Sequence, residues 1–168
     1  GLARAMANTK QVKAADVFNN GFNTSFAGGD GQPFFSASHP TIGNGNQSNL
    51  LTGADLSEAS LETALISISK IKDDRGILIG AQAESLHIPS DLAFVADQIL
   101  NSTMSTTIGV NPTTAANGAT NVNDINSIRN QGLMPGGFFV NRRFTDTNAF
   151  YIKTDVPNGA KMFVRSPL

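Results

Sequence analysis

The sequence predicts an α+β protein, because helical and strand-like segments are interspersed without a regular βαβ repeat. Three features support this: a central segment with an apolar stripe at helical spacing, an alanine-rich first segment, and short strands separated by turn residues near the end. Hydrophobic residues make up 40% of the 168 residues, so the chain can bury a core as one domain or two small ones.

The first predicted helix runs from Leu2 to Asn20. It is rich in alanine, the strongest helix former, but it has few large apolar side chains. We therefore expect one side of this helix to face solvent or a neighbouring molecule. Gly21 is expected to end it in the left-handed conformation. Gly28 to Gly31 is predicted to be a turn, and Thr41 to Asn49 a Gly/Asn-rich loop.

The central helix is predicted over Asp55 to Arg75. Asp55 or Ser57 can accept a hydrogen bond from a free N–H of the first turn. Apolar side chains recur at spacings of three and four and so share one face. These residues are Leu61, Leu65, Ile68 and Ile71. A helix with a single apolar stripe needs a surface to lie on, and the flanking strands are the predicted surface.

The end of the central helix carries cations, which the helix dipole favours there. They are Lys70, Lys72 and Arg75. Gly76 can then take the left-handed conformation that ends a helix. The apolar run Ile77 to Ile79 is interpreted as a buried strand that follows directly.

The next predicted elements are a strand over Ser85 to Ile88 and a helix that starts near Pro89. Ser90 or Asp91 is the expected cap of that helix. Its stripe consists of Leu92, Val95, Ala96 and Ile99. The low-complexity stretch Asn101 to Asn123 is predicted to be a long loop.

The last part of the chain is predicted to be a short helix followed by a meander of strands. Asn123 or Asp124 is the expected cap of the helix, which ends near Gly132. A turn is expected at Pro135 to Gly137 and a hairpin turn at Thr145 to Asn148. The predicted strands are 138–141, 149–153 and 161–165.

Composition excludes several functions. The net charge of -1 argues against a nucleic-acid-binding domain, which would normally have a basic surface. The chain has no cysteine, so it cannot form disulfides or thiolate metal sites. No apolar run approaches the roughly 20 residues that cross a bilayer. Only 15% of residues are charged, which fits equally an exterior that partners largely cover and an ordinary soluble domain with long polar loops.

Motifs for catalysis or for cofactor binding are absent. His39 and His87 have no matching ligand motif, and the glycines at 28–31 lack the Lys-Ser/Thr of a phosphate-binding loop. Asp73 and Asp74 could serve as acid and base or bind a divalent cation. Because cations flank them at a helix end, a solvated terminus or an intersubunit salt bridge is the preferred interpretation.

A second small cluster, Arg142 and Arg143, lies beside Phe144. Two arginines are weak evidence for contact with nucleic acid, so an interface role or plain solvation is preferred. We therefore predict no catalytic, cofactor or metal residues. The candidate intersubunit contacts are Lys72, Asp73, Asp74, Arg75, Arg142 and Arg143.

Six stretches in order resemble the major capsid proteins of tailed bacteriophages, with the Mu-like prophage head subunit as the nearest branch. They cover nearly the whole chain except Asn101 to Asn121. They read LARAMANTKQVKAADVFNNGF, GGDGQPFFSASHP, LSEASLETALISISKIKDDRG, ESLHIPSDLAFVADQIL, NDIN and FTDTNAFYIKTDVPNGAKMF.

This resemblance implies the Hong-Kong-97-type capsid fold. Residues 1–76 would then form a peripheral domain in which Leu2 to Asn20 ends the spine helix. Residues 77–154 would form the axial domain, and residues 155–168 would return a strand to the peripheral sheet. The N-terminal arm, the extended loop and the closing strands of that fold are not in the sequence, so a fragment or a processed product is expected.

The function implied by the resemblance is a structural major capsid protein that is not an enzyme. It would assemble with itself into pentamers and hexamers of an icosahedral shell around DNA, in the virion. Scaffold, portal and decoration proteins are further expected partners, with no membrane and no cofactor. One alternative is the shell of an encapsulin-like cellular nanocompartment. Another is a small hydrolase or ligand-binding domain that uses His39 and Asp30.

Overall fold

The computed structural model describes residues 1–43, 45–104 and 125–157, and it confirms the predicted α+β class. The helices are α1 (Leu2–Asn19), α2 (Glu58–Ser69), α3 (Ala93–Asn101) and α4 (Ser127–Asn130). The strands are β1 (His39–Pro40), β2 (Asn46–Gln47), β3 (Ala83–Ile88), β4 (Phe138–Val140) and β5 (Tyr151–Thr154). Most of the predicted 101–123 loop and the predicted strand 161–165 lie outside the described residues.

The main sheet has β3 at its centre. Its strand order is β4-β3-β5, with β4 parallel and β5 antiparallel to β3. The predicted meander is wrong for β4 and β5, because β3 lies between them and no hairpin joins them. Residues 145–148 do turn, since the Asp146 carboxylate accepts the N–H groups of Asn148 and Ala149. Turn residues show where a chain reverses, but not which strands then pair.

The core lies where the central strand meets three helices. Leu86 and Ile88 of β3 are fully buried, and Leu61 of α2 packs in the same cluster. From α3 and α4 come Ala96, Ile99, Leu100 and Ile128. Leu61, Ala96 and Ile99 are buried, as their predicted stripes require. Val95 is more exposed than predicted, and Ile71 lies beyond the end of α2, so it does not belong to the stripe of that helix.

The helix α2 begins as predicted but ends earlier. The Ser57 hydroxyl accepts the N–H of Ser60, and the Ser60 hydroxyl accepts the N–H of Ser57, forming a capping box. The helix ends at Ser69 rather than at Arg75. Its last turn tightens through a bond from Lys70 N–H to the Ser67 carbonyl, after which the chain enters a hairpin.

The caps of the later helices differ from the predicted ones. A 3₁₀ turn, Ser90–Leu92, precedes α3, and neither Ser90 nor Asp91 forms a side-chain cap. The cap of α4 is Asn126, whose side-chain oxygen accepts the Arg129 N–H. The Asn126 amide also donates to the Ile99 carbonyl at 2.5 Å, so this buried side chain ties α4 to α3. The predicted caps Asn123 and Asp124 lie outside the described residues.

The helix α1 is attached to the rest of the protein near its end, by a group of rings that we call the aromatic cluster. It consists of Phe18, Phe22, Phe34, Phe35, Phe144 and Tyr151. Within α1 only Ala15 is buried, so most of the helix surface is open, as its sparse apolar residues predicted. Gly21 does not take the predicted left-handed conformation. Instead, a Cβ there would lie 2.5 Å from the Phe35 ring, so the cluster itself requires glycine.

Candidate assembly surfaces

The charged cluster Lys72 to Arg75 forms the turn of a hairpin, not the last turn of a helix. We call this segment the 71–79 hairpin. Lys72 bridges Leu78 in antiparallel fashion, and backbone bonds run from Asp73 N–H to the Ile77 carbonyl and from Ile79 N–H to the Ile71 carbonyl. The positive φ of Gly76, +82°, closes the turn.

The four charged residues of this turn differ in their availability. Asp73 is partly buried, and its carboxylate accepts the N–H groups of Arg75 and Ile77, both at 2.8 Å. Lys72, Asp74 and Arg75 are exposed. Within the described ranges, none of these three side chains forms an ion pair. They are free to meet opposite charges on another molecule.

The two arginines after β4 also differ from each other. The Arg143 guanidinium donates to the side chain of Gln11 in α1 at 3.5 Å, and its carbonyl accepts from Asn19. Arg142 is exposed and has no hydrogen bond or ion pair in the part of the chain that the structure describes. Arg143 therefore helps to hold α1 in place, whereas Arg142 points outward unpaired.

The apolar run Ile77 to Ile79 is exposed, so its interpretation as a buried strand is wrong for the chain alone. The exposed fractions of the three residues are 61%, 60% and 47%. The run follows the turn of the 71–79 hairpin, which keeps it away from the core cluster. The apolar composition of the run predicted burial, but it could not indicate that the run lies outside the core cluster.

The structure does bring together His39 and Asp30, the pair named in the hydrolase alternative. His39 Nδ1 lies 2.6 Å from Asp30 Oδ2, and Nε2 lies 3.2 Å from the side-chain oxygen of Asn49. The hydrogen bond from His39 holds the pKa of Asp30 below its usual value. Both ring nitrogens of His39 therefore have partners, and the nearby Ser36 hydroxyl donates to Gln32 rather than to His39. The arrangement fastens a loop.

His87 is half-buried on β3, within the strand predicted over Ser85 to Ile88. Its ring stacks on that of Phe139, with 5.3 Å between the ring centroids, and Nε2 lies 3.2 Å from the Ser85 hydroxyl. Burial lowers the pKa of His87, the positive charge of Lys153 lowers it further, and Glu84 opposes them. The neutral ring is therefore the form that the folded protein favours.

Acidification is expected to destabilise the protein through His87. Since the pKa is depressed in the folded state, the unfolded chain binds the proton more readily. The contribution of neutral His87 to the free energy of unfolding is therefore fully present above pH 6.5, the ordinary pKa of histidine. It decreases as the pH drops below that value. The midpoint of urea unfolding, compared between pH 7.5 and pH 5.5, measures this loss of stability. His87→Gln should reduce the difference, and an unchanged difference would contradict the assignment.

Other candidate sites are weak. A shallow cleft of about 190 Å³ lies between α3 and α4, and among the described residues that line it Arg129 is the charged one. No group of three His, Asp or Glu side chains suited to a metal ion occurs in residues 1–43, 45–104 and 125–157. Across the same ranges, the helices are too short or too polar to cross a membrane.

Comparison with known families identifies the class of protein. The sequence model of the family described as Phage capsid protein matches residues 1–167. No curated protein and no solved structure matches the chain. Because the family match spans nearly every residue, the chain belongs to the phage capsid protein family.

Membership gives the general function. The chain is a structural protein of the bacteriophage capsid, it is located in the virion, and it associates with copies of itself in a shell. The exposed charges and exposed apolar run described above are therefore candidates for contacts between copies.

Proposed function

We propose that the chain is the major capsid subunit of a tailed phage, with the Hong-Kong-97-type fold and a Mu-like head subunit as its relative. It forms pentamers and hexamers that close an icosahedral shell around DNA. The observation that carries this proposal is the capsid-family match over residues 1–167. Exposure supports it, since more large apolar side chains of the described residues are exposed than buried.

The proposed domains are those expected from the sequence: peripheral 1–76, axial 77–154 and a returning segment 155–168. In this proposal α1 is the end of the spine helix. Support comes from its long open surface, which a neighbouring subunit would cover, and from its attachment through Phe18 to Tyr151 of the proposed axial domain.

The proposed mechanism of assembly is the addition of many weak contacts under closed symmetry. Among the candidate intersubunit residues, Lys72, Asp74, Arg75 and Arg142 are the ones we assign to salt bridges between copies. Asp73 and Arg143 support these surfaces from within the chain. Scaffold, portal and decoration proteins and packaged DNA are the further proposed partners, with no catalytic step and no cofactor.

The test is sedimentation and electron microscopy of the protein produced in bacteria with its flanking sequence. The proposal predicts very large closed particles that protect DNA from nuclease. Particles that hold an enzyme instead of DNA would support the nanocompartment alternative. A small discrete species with an activity that His39→Ala abolishes would support the hydrolase alternative and refute the proposal.

Charge reversal at Asp74 should lower particle yield, because Asp74→Lys places a cation where we propose an anion pairs with a neighbouring copy. Glu62→Lys makes the same charge change on the exposed face of α2 and serves as the matched control. Particle counts in electron micrographs give the measurement. Equal yields for both variants would remove Asp74 from the interface.

A further inference from the structure

We propose that Ile77–Ile79, the second arm of the 71–79 hairpin, acts as a strand that pairs with the same arm of a second copy, antiparallel across a two-fold axis centred on Leu78. This inference rests on the proposed shell function and specifies one of its contacts. Four observations carry it: the rigidity of the hairpin, the exposure of the strand on both faces, its open edge, and the absence of charge along it.

Several contacts fix the conformation of the 71–79 hairpin. Its backbone bonds and the Asp73 carboxylate fix the turn, and Gln47 donates to the Asp73 carbonyl at 3.1 Å from the neighbouring β2. Gly43 approaches so closely that a Cβ there would lie 2.8 Å from the Asp74 carbonyl oxygen. The strand is therefore presented in a fixed conformation, which reduces the entropy lost when a partner binds.

Both faces of the strand are uncovered. Successive side chains of a strand point to opposite faces, so Leu78 lies on one face and Ile77 and Ile79 lie on the other. All three are about half exposed or more. No other run of three consecutive large apolar residues is exposed in the described ranges. This pattern fits a strand that a partner completes.

The outer edge of the strand is open. Within the hairpin, the bonds around the Lys72–Leu78 bridge use the Ile77 carbonyl and the Ile79 N–H. In an antiparallel pair, the residue that lies between two hydrogen-bonded residues has its own N–H and carbonyl directed away from the partner strand. The N–H and carbonyl of Leu78 thus face outward, and they have no hydrogen-bond partner in the described part of the chain.

The outward N–H and carbonyl of Leu78 can bond to the same two groups of a second copy. Across a two-fold axis, the Leu78 N–H would donate to the carbonyl of the partner's Leu78, and the partner would return the same bond. Ile77 would then face the partner's Ile79. Glycines, Gly76 and Gly80, flank the strand on each side, so no like charges would oppose one another along the paired segment. Capsid-family membership makes a second copy the appropriate occupant.

The experiment uses cysteine cross-linking, which suits this chain because it has no native cysteine. In the proposed pair, the two Leu78 Cα atoms would lie about 5.5 Å apart, within the range of a disulfide. Leu78→Cys should therefore give disulfide-linked dimers under mild oxidation of the assembled protein. Ile66→Cys, similarly exposed on α2, is the matched control and should give at least about tenfold fewer disulfide-linked dimers.

A second pair of variants tests the register. Mixed particles of Ile77→Cys and Ile79→Cys should cross-link, while either variant alone should do so much less, because identical residues other than Leu78 are displaced from one another. Leu78→Pro removes the outward N–H without touching a hairpin bond, so it should reduce particle yield relative to Leu78→Val.

The outcomes separate this inference from the proposed function. Particles in which Leu78→Cys cross-links no more than Ile66→Cys would overturn the strand pairing and leave the shell function standing. Cross-linked Leu78→Cys dimers without any particles would support the pairing and refute the shell. Absence of both particles and cross-links would overturn both.

Discussion

Tyr151→Ala is expected to lower the free energy of unfolding by about 3–5 kcal/mol, the usual cost of removing a buried aromatic ring. Tyr151 is 8% exposed, and its ring centroid lies 5.1 Å from Phe18, 5.0 Å from Phe35 and 5.1 Å from Phe144. Phe18 and Phe35 come from a distant part of the chain, and Phe144 lies shortly before Tyr151 in sequence. Loss of the ring should therefore release α1 from the sheet as well as leave a cavity.

Equilibrium urea unfolding of the unassembled protein, followed by circular dichroism, measures this effect. Tyr151→Phe is the matched control. It keeps the ring and removes only a hydroxyl whose hydrogen bond to the Phe18 carbonyl is long at 3.5 Å. Tyr151→Phe should lower the free energy of unfolding by less than about 1 kcal/mol. Equal losses for the two variants would show that the hydroxyl, not the ring, holds the aromatic cluster together.

Leu86→Ala is expected to cost about 2–5 kcal/mol, because it opens a cavity at the centre of the core. Leu86 is fully buried on the central strand, where it packs in one cluster with Leu61 of α2 and Ile99 of α3. Domains of this size are stable by roughly 5–15 kcal/mol, so the loss would remove a large part of the total. Particle yield should fall with it, since fewer subunits remain folded.

The same unfolding experiment provides two comparisons for Leu86. Leu86→Met conserves volume and should cost less than about 1.5 kcal/mol. Leu78→Ala removes the same atoms from an exposed side chain and should change stability by no more than about 0.5 kcal/mol in the unassembled protein. A large loss for Leu78→Ala would mean that the 77–79 strand is covered by its own chain.

Local patterns predicted much of the fold. The spacing of Leu61 and Ile68 identified the buried face of α2, and Ser57 supplied the cap that its residue type suggested. The strand predicted over Ser85 to Ile88 lies within β3. These features depend on neighbours within a few residues, which is the range over which sequence periodicity is informative.

Long-range pairing could not be obtained this way. Nothing in the residues between β4 and β5 indicates that β3 lies between these strands. The early end of α2 depends on the Lys72–Leu78 bridge, and the glycine at position 21 depends on the approach of Phe35. Each of these reflects a tertiary contact that outweighs a local preference.

The candidate site was only partly predictable. Sequence indicated the charged residues 72–75 as contacts, because dense charge is rare in this chain. It did not indicate that Asp73 closes its own turn or that Arg143 holds α1. The apolar strand beside the charges was assigned to the core, since an apolar run alone does not distinguish a core from an interface.

The central claim is that this chain is one repeating unit of a closed shell. Electron cryo-microscopy of particles assembled from the protein tests it most directly. The account predicts an icosahedral map with fivefold and sixfold capsomers, in which the open surface of α1 is covered by neighbouring subunits. A reconstruction showing a discrete monomer or small oligomer, with α1 exposed to solvent, would contradict it.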